Sequence, residues 1–427
     1  MASDYGRIRD DNILEYGKGI RHLEFFGKLY SDKTHFIYEL LQNAEDAGAT
    51  RVNFSLTAER LEMRHDGRLF NEMDVRGVCG VGEGTKADDL TQIGKFGIGF
   101  KSVYAYTLSP EIHSGNEHFR IEHYVRPVAA DPVEAGNPWT TLFFLPFNRS
   151  DISVQTAFQD IAGRLENIGV RTLLFLRNIN QIEWNTKEGA DGFYLRETRK
   201  NLGNTRWVTV IGQKNQREEE EDWLIFDRPL GITEGNAKVK IEIAFRLVRE
   251  DGTDSQIIRR VKSSPLVVFF STETETKLGF LLQGPFRTTL SRDLIPKEDD
   301  WNKKLIEEAA DLISQALPRL RDLGYLNVSL LEALPITLDD FPRDGMFSPF
   351  AAAVRQTLAE QPLLPADDVS YVSTSQAKLA GSAELRELLG QTQLKALLGA
   401  DQPVHWLSKE ITERGTPELW KYLRNEL

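Results

Sequence analysis

Cysteine is almost missing from this sequence. The single Cys79 excludes an intrachain disulfide framework and any cysteine-built zinc site, and such sparing use suits a reducing compartment. Positive charge is in deficit, with 52 Lys and Arg against 64 Asp and Glu for a formal charge of −12. A protein that holds duplex DNA by bulk charge needs the opposite balance, so direct nucleic-acid binding is not expected. Long apolar runs are lacking as well. The longest, such as Pro265–Phe270, fall far short of the roughly 20 residues that cross a bilayer, so no membrane span is expected. The polar start, Met1–Asp10, has no apolar core of signal-peptide type, and a cytoplasmic location is expected. Neither a repeat of fixed period nor a low-complexity tract occurs.

The 427 residues are 41% hydrophobic and 27% charged, which is ordinary for globular proteins and long enough for two or three domains. Three zones are expected: 1–150, 151–330 and 331–427. The second opens with a helical pattern, Val154 to Ile168, followed by strand-like runs at 206–211, 223–226, 239–248, 266–270 and 278–282. A long helix from Trp301 is expected to kink or end at Pro318. The charge run Arg217–Asp222 reads as a solvated hairpin tip. The third zone carries short helices and ends in an amphipathic Leu419–Leu423, a pattern that suits the start of a longer chain.

The first zone holds the chemistry. Thr34–Gly48 reads as a helix with Phe36, Leu40, Ala44 and Ile37, Leu41 on its apolar face. Glu39, Asn43 and Asp46 fall at i, i+4 and i+7, one stripe of acid, amide and acid. A carboxylate can take a proton from water and an amide oxygen can ligate a hard cation, although a solvated polar face has the same pattern. Alternating Val52, Phe54, Leu56 and Leu61, Met63, His65 predict a hairpin closing at Asp66-Gly67. Two glycine clusters follow, Gly77–Lys86 and Gln92–Lys101. Their backbone N–H groups can line a phosphate, and the second opens a helical segment. Neither matches a Walker A loop or a dinucleotide fingerprint.

These boxes resemble the GHKL (Bergerat-fold) ATPase superfamily, the group of gyrase, heat shock protein 90, histidine kinases and MutL. Glu39-Leu-Leu-Gln-Asn43-Ala-Glu-Asp46-Ala is similar to its N box, and Gln92–Phe100 to its glycine box in the heat shock protein 90 form. Gly94–Tyr104 most resembles sacsin-like members. The resemblance implies an α/β fold: a Bergerat-type two-layer sandwich with a mixed sheet, then an α/β transducer-like domain and a helical segment. It implies magnesium-dependent ATP binding and slow hydrolysis, driving lid closure, domain rearrangement or homodimerisation in a chaperone-like or signalling and defence ATPase. The alternative is a nucleotide-gated interaction module that binds without turnover.

By the same resemblance Glu39 is the general base, Asn43 the magnesium ligand, and Asp46 a further member of the nucleotide site. Gly94, Gly97 and Gly99 cradle the phosphates with Lys95 and Lys101 as nearby charge partners, Phe96 and Phe100 join the nucleotide site, and residues 80–92 form the lid. Thr141 helps to hold adenine through water. Leu282–Asp293 resembles the middle-domain segment whose arginine, here Arg292, reaches the γ-phosphate. One box departs. The family pattern Asp-x-Gly-x-Gly falls on His65-Asp66-Gly67-Arg68-Leu69, so the adenine-reading acceptor is either Asp66, displaced by one residue, or a neutral His65 nitrogen. Strand alternation lets one of the two face inward. Elsewhere, His113, His118 and His123 recur at odd spacing in a strand-like stretch. Such spacing puts neighbours on opposite faces and predicts no shared metal site. Cys79 reads as a small buried hydrophobe.

Overall fold

The computed structural model describes residues 1–19, 23–24, 32–81, 99–215, 217–234, 237–250, 252–289 and 294–427. Gly94, Lys95, Phe96, Gly97 and Arg292 lie outside these residues, as does the expected lid beyond residue 81. The fold is mixed α/β with a large mixed sheet, and the described strands form no closed barrel. The chain divides into two compact units, residues 1–198 with 209–220, and 199–208 with 221–427.

The first unit contains α1 (Tyr5–Tyr16), α2 (Phe36–Asp46), β1 (Arg51–Leu56), β2 (Arg60–His65), α3 (Glu72–Cys79), β3 (Glu111–Ser114), β4 (Glu117–Glu122), β5 (Arg126–Ala129), β6 (Thr141–Pro146), α4 (Val154–Glu166) and β7 (Gln181–Thr186). Three strands, β8 (Asp191–Leu202), β9 (Thr205–Lys214) and β10 (Arg217–Glu234), contribute residues to both units. Within the first unit the strand order runs β8-β7-β1-β2-β6-β3-β4-β5. The β1–β7 pair is parallel and its neighbours are antiparallel, so the sheet is mixed.

Helix α2 forms where the apolar spacing requires. It buries Phe36, Ile37, Leu40, Leu41 and Ala44. Gly48, at φ +70°, supplies the left-handed turn past its end, a conformation that costs glycine little. In the hairpin Val52 faces His65 and Phe54 faces Met63, and His65 in turn faces Thr141 on β6. Period two therefore puts Val52, Phe54, Met63, His65, Thr141 and Phe143 on one face. The turn after β2 docks on the end of α2. A Cβ on Gly67 would come within 2.8 Å of the Ala47 carbonyl oxygen, and the Arg68 N–H donates to that oxygen at 2.9 Å. That close approach, open to glycine, is what brings His65 and Asn43 to one place.

The second unit contains the remaining parts of β8–β10, then β11 (Ala237–Arg249), β12 (Gln256–Arg259), β13 (Pro265–Val268), β14 (Phe270–Glu275) and β15 (Leu281–Gln283). Helices α5 (Asp300–Asp322), α6 (Val328–Glu332), α7 (Ser348–Glu360), α8 (Ala383–Leu388), α9 (Gln391–Leu398) and α10 (Pro417–Asn425) follow. Its strand order is β14-β13-β15-β11-β10, with β12 also on β11. Ile241, Ile243 and Phe245 of β11, Leu305, Leu312 and Leu317 of α5, Phe350 and Val354 of α7, and Leu419 of α10 share one core.

Several expectations change here. The division at 150 gives way, because α4 and β7 belong to the first unit. Of the helices after residue 331, α7 and α10 share the core of α5, and the whole stretch falls in the second unit. Helix α5 runs through Pro318, because Leu317 and Leu320 are buried on either side of it and packing outweighs one lost backbone bond. The run Arg217–Asp222 is the start of β10 and no hairpin tip. Glu221 within it is buried, pairing with Arg246 and accepting from the Trp223 indole N–H.

Candidate functional site

Asn43 and Ala47 from α2, His65 from β2 and Phe143 from β6 line a cavity that Arg68, Phe70, Asp74 and Val78 complete. Its volume is about 10 Å³, room for roughly one water molecule. Arg68 and Asp74 form a bidentate pair at 2.5 and 2.7 Å, and Asp74 Oδ2 also accepts the Asn71 N–H at 2.9 Å, closing the capping box of α3. The pair stands at the cavity wall, so a ligand larger than water enters by displacing it or its neighbours.

The structure places His65 and Asp66 in different surroundings. The His65 ring is buried and lines the cavity, and its Nδ1 accepts the Gly67 N–H at 3.1 Å. Burial, opposed by the Asp66 charge, lowers its pKa to about 4, so the ring is neutral. Asp66 turns the other way. Its Oδ1 accepts the N–H groups of Thr50 and Arg51 at 2.7 and 2.8 Å, and its Oδ2 accepts the Thr50 hydroxyl at 2.6 Å. Partial burial works to raise the Asp66 pKa, but the bonds from Thr50 and Arg51 outweigh it and hold the carboxyl below its usual range. Asp66 thus pins the start of β1, and of the two candidates it is His65 that lines the cavity.

One turn before Asn43, Glu39 is buried in α2. His35 Nε2 lies 3.5 Å from Glu39 Oε1, and a Cβ on Gly99 would overlap the Glu39 carboxylate, with Cδ at 3.0 Å. His35 was missed in the sequence, although its i, i+4 relation to Glu39 was there to read. A carboxylate so enclosed, beside an imidazole, has the means to accept a proton from water. Asn43 is half-buried, and its amide makes no hydrogen bond among the described residues, which leaves an oxygen free for a hard cation. Magnesium held by one protein oxygen plus substrate phosphates would fit that single amide donor. Among the described residues no cluster of three or more His, Cys, Asp or Glu suited to a metal occurs.

Lys101 corrects another expectation. It is fully buried, and its Nζ donates to the carbonyls of Val78 and Tyr124, both at 2.7 Å. Burial lowers its pKa to about 7. An amine committed to two carbonyls inside the core is a tie between chain segments and no phosphate partner. Phe100 packs against Phe143, ring centroids 6.1 Å apart. Thr141 is fully buried with its hydroxyl 2.7 Å from that of Ser114, and Asp46 is exposed at the end of α2. Between the stripe residues, Glu45 does a different job. Its carboxylate accepts the N–H groups of Arg177, Asn178 and Ile179 at 2.6, 2.9 and 2.9 Å.

The histidine expectation is also revised. His113 on β3 and His118 on β4 face each other across the hairpin, Nδ1 to Nδ1 at 3.1 Å, with His113 Nε2 2.8 Å from Glu111. The parity argument holds within one strand, and a turn separates these two.

Comparison with known proteins adds relatives. The chain is 29% identical over 323 residues to Protein NO VEIN of Arabidopsis thaliana, covering 68% of this chain and 11% of that protein. It is 33% identical over 105 residues to Sacsin of Homo sapiens, 21% of this chain and 2% of that one. The chain thus spans a small fraction of either relative. Among solved structures, it is similar to the N-terminal domain of a DNA repair protein, with a TM-score of 0.39 at 13% identity, covering 64% of this chain and 90% of that one. For the B-subunit of the DNA gyrase from Myxococcus xanthus the TM-score is 0.36 at 13% identity, with 74% and 93% covered. Residues 26–123, the stretch that carries α2, the hairpin and α3, match the family model described as the Sacsin domain.

Proposed function

We propose that the first unit binds ATP with magnesium and hydrolyses it slowly, and that the product of the cycle is a change of conformation. The observation that carries this reading is the buried Glu39 carboxylate, fitted against Gly99 one helical turn before the cavity-lining Asn43. Glu39 acts as the base that orients and deprotonates water, with His35 holding its carboxylate in place. Asn43 holds magnesium through its amide oxygen. The ion, when bound, neutralises charge on the phosphates. The cavity takes the nucleobase, with Phe143 and Val78 as its apolar walls.

The glycine box, the lid and Arg292 complete the reading from sequence. Gly94, Gly97 and Gly99 give the phosphates close backbone approach. Arg292 supplies a guanidinium to the γ-phosphate when the chain rearranges, with closure or homodimerisation as the output. A chaperone-like or signalling and defence role follows the same resemblance.

The test is Glu39→Ala. Removing a general base costs about 10²–10⁴-fold in rate. Wild-type turnover in that variant, at unchanged nucleotide affinity, overturns the assignment. A second reading, nucleotide binding without turnover, is favoured by the small cavity and by His65 at the adenine-reading position. Stoichiometric binding with no phosphate release, alone or at concentrations that favour dimers, supports it over the first.

A further inference from the structure

We propose that His65 makes this cavity select a purine nucleotide with an oxo group at position 6, guanosine or inosine triphosphate, over ATP. The proposal rests on the reading of the cavity as the nucleobase pocket, keeps ATP as the weaker of its ligands, and adds which base edge it prefers.

The argument starts from one backbone hydrogen bond. The Gly67 N–H is a donor and nothing else, and it points at His65 Nδ1 from 3.1 Å. A ring nitrogen that accepts carries no proton, and a neutral imidazole has one proton to place, so the proton sits on Nε2. The ring is 2% exposed and stays neutral through the physiological range. His65 therefore offers the cavity an N–H. An aspartate at the same place would offer two acceptor oxygens, so the polarity of the position is reversed.

Nε2 is available. Nδ1 to Gly67 is the one hydrogen bond of the ring among the described residues. The ring lines the cavity, and the proposal places its Nε2–H on that side. The acceptors at the cavity wall, Asp74 and Asn43, belong to other side chains and do not change the donor that His65 presents. Arg68 has donors alone. Asp74 is turned to Arg68 and to the α3 cap: Oδ2 receives an Arg68 nitrogen and the Asn71 N–H, and Oδ1 the other Arg68 nitrogen. The Gly67 N–H is spent on His65. Asn43 has an amide oxygen, which the metal reading assigns elsewhere.

Adenine carries an amino donor at position 6. Set against Nε2–H it leaves two donors facing each other, each buried without an acceptor. Guanine and hypoxanthine carry an oxygen there, which accepts that proton. Discrimination from one mismatched buried donor is about 10- to 100-fold in affinity.

The experiment is calorimetry on the full chain with magnesium and non-hydrolysable analogues of GTP, ITP and ATP. The guanine and hypoxanthine forms are expected to bind at least about tenfold more tightly than the adenine form. Equal behaviour of the two assigns the effect to position 6, because hypoxanthine lacks the 2-amino group of guanine. His65→Asp replaces donor by acceptor and is expected to invert the order. His65→Asn, whose amide turns either way, is expected to bring the ratio near one, and it stands in if a buried aspartate prevents folding. Tighter binding of the ATP analogue to the wild-type chain overturns the proposal and leaves the nucleotide reading intact. A ratio that survives both His65 variants also overturns it. Binding of no analogue overturns both readings together.

Discussion

Glu39 and Gly99 are in contact, and the contact has room for hydrogen alone on the glycine Cα. A Cβ there would overlap the carboxylate. Gly99 thereby limits where the Glu39 carboxylate can sit, although 60 positions separate them in sequence.

Gly99→Ala separates that contact from backbone strain. Gly99 has φ −58° and ψ −49°, an ordinary helical conformation that alanine adopts freely. The added methyl is therefore expected to act by pushing the Glu39 carboxylate aside. Single-turnover phosphate release should fall toward the Glu39→Ala level, about 10²–10⁴-fold below wild type, while nucleotide affinity by calorimetry changes little. An active Gly99→Ala protein would sink the argument.

His35→Ala tests a second neighbour of Glu39. Losing one polar contact of ordinary strength, about 1 kcal/mol, is expected to lower turnover about fivefold. His35→Gln, which keeps a donor, should recover part of the loss. An effect on affinity with no effect on turnover would instead make His35 part of the binding site.

Lys101 sets a pH dependence of stability. Its pKa falls from 10.5 in the unfolded chain to about 7 in the fold, because burial disfavours the charged amine. Between those values the unfolded state binds more protons, so stability rises with pH from 7 upward, at most by about 1.4 kcal/mol per pH unit. Cys79, raised by burial to about 12, works in the opposite direction above pH 9. The clean window is pH 7–9. Urea unfolding across it should show a positive slope in the wild type and a flatter one in Lys101→Met. Equal slopes would mean that the amine stays charged in the fold.

Glu45→Gln is the control for the acidic stripe. The carboxylate accepts three backbone N–H groups, and an amide keeps one acceptor oxygen of two. The expected cost is about 2 kcal/mol in stability, read by denaturant melting, with turnover per folded molecule unchanged. A turnover defect at full stability would place Glu45 among the reacting groups.

Much of the first unit is legible in the sequence because local periods decide it. Helix α2 and the hairpin follow from apolar spacing, since each has one face to bury. Alternation also states that His65 and Asp66 cannot both face inward. It does not state which does, because that depends on where the Gly67 turn docks against Ala47, a contact between segments. Lys101 was misread for a related reason. Its neighbours in sequence are glycines that suggest phosphate, whereas its partners, Val78 and Tyr124, come from elsewhere in the chain. His113 and His118 show the limit of parity, which says nothing across a turn. The run at Arg217–Asp222 shows the limit of composition, since Glu221 is buried within a strand, paired with the half-exposed Arg246 and accepting from the Trp223 indole.

The Lys101 tie has a mechanical consequence. Its amine is anchored at one end to Val78, which lines the cavity, and at the other to Tyr124. The next residue, Val125, offers its carbonyl to the Asn12 amide at 2.6 Å, and Asn12 belongs to α1. These bonds form a short tether: cavity wall, lysine, strand connection, N-terminal helix. A ligand that shifts Val78 puts tension on that tether, and α1, whose side chains also grip Glu117 through Tyr5, is where the strain is delivered. The N-terminal helix is in this sense a gauge needle for the cavity, and a fluorophore on its exposed Leu14 would read the deflection.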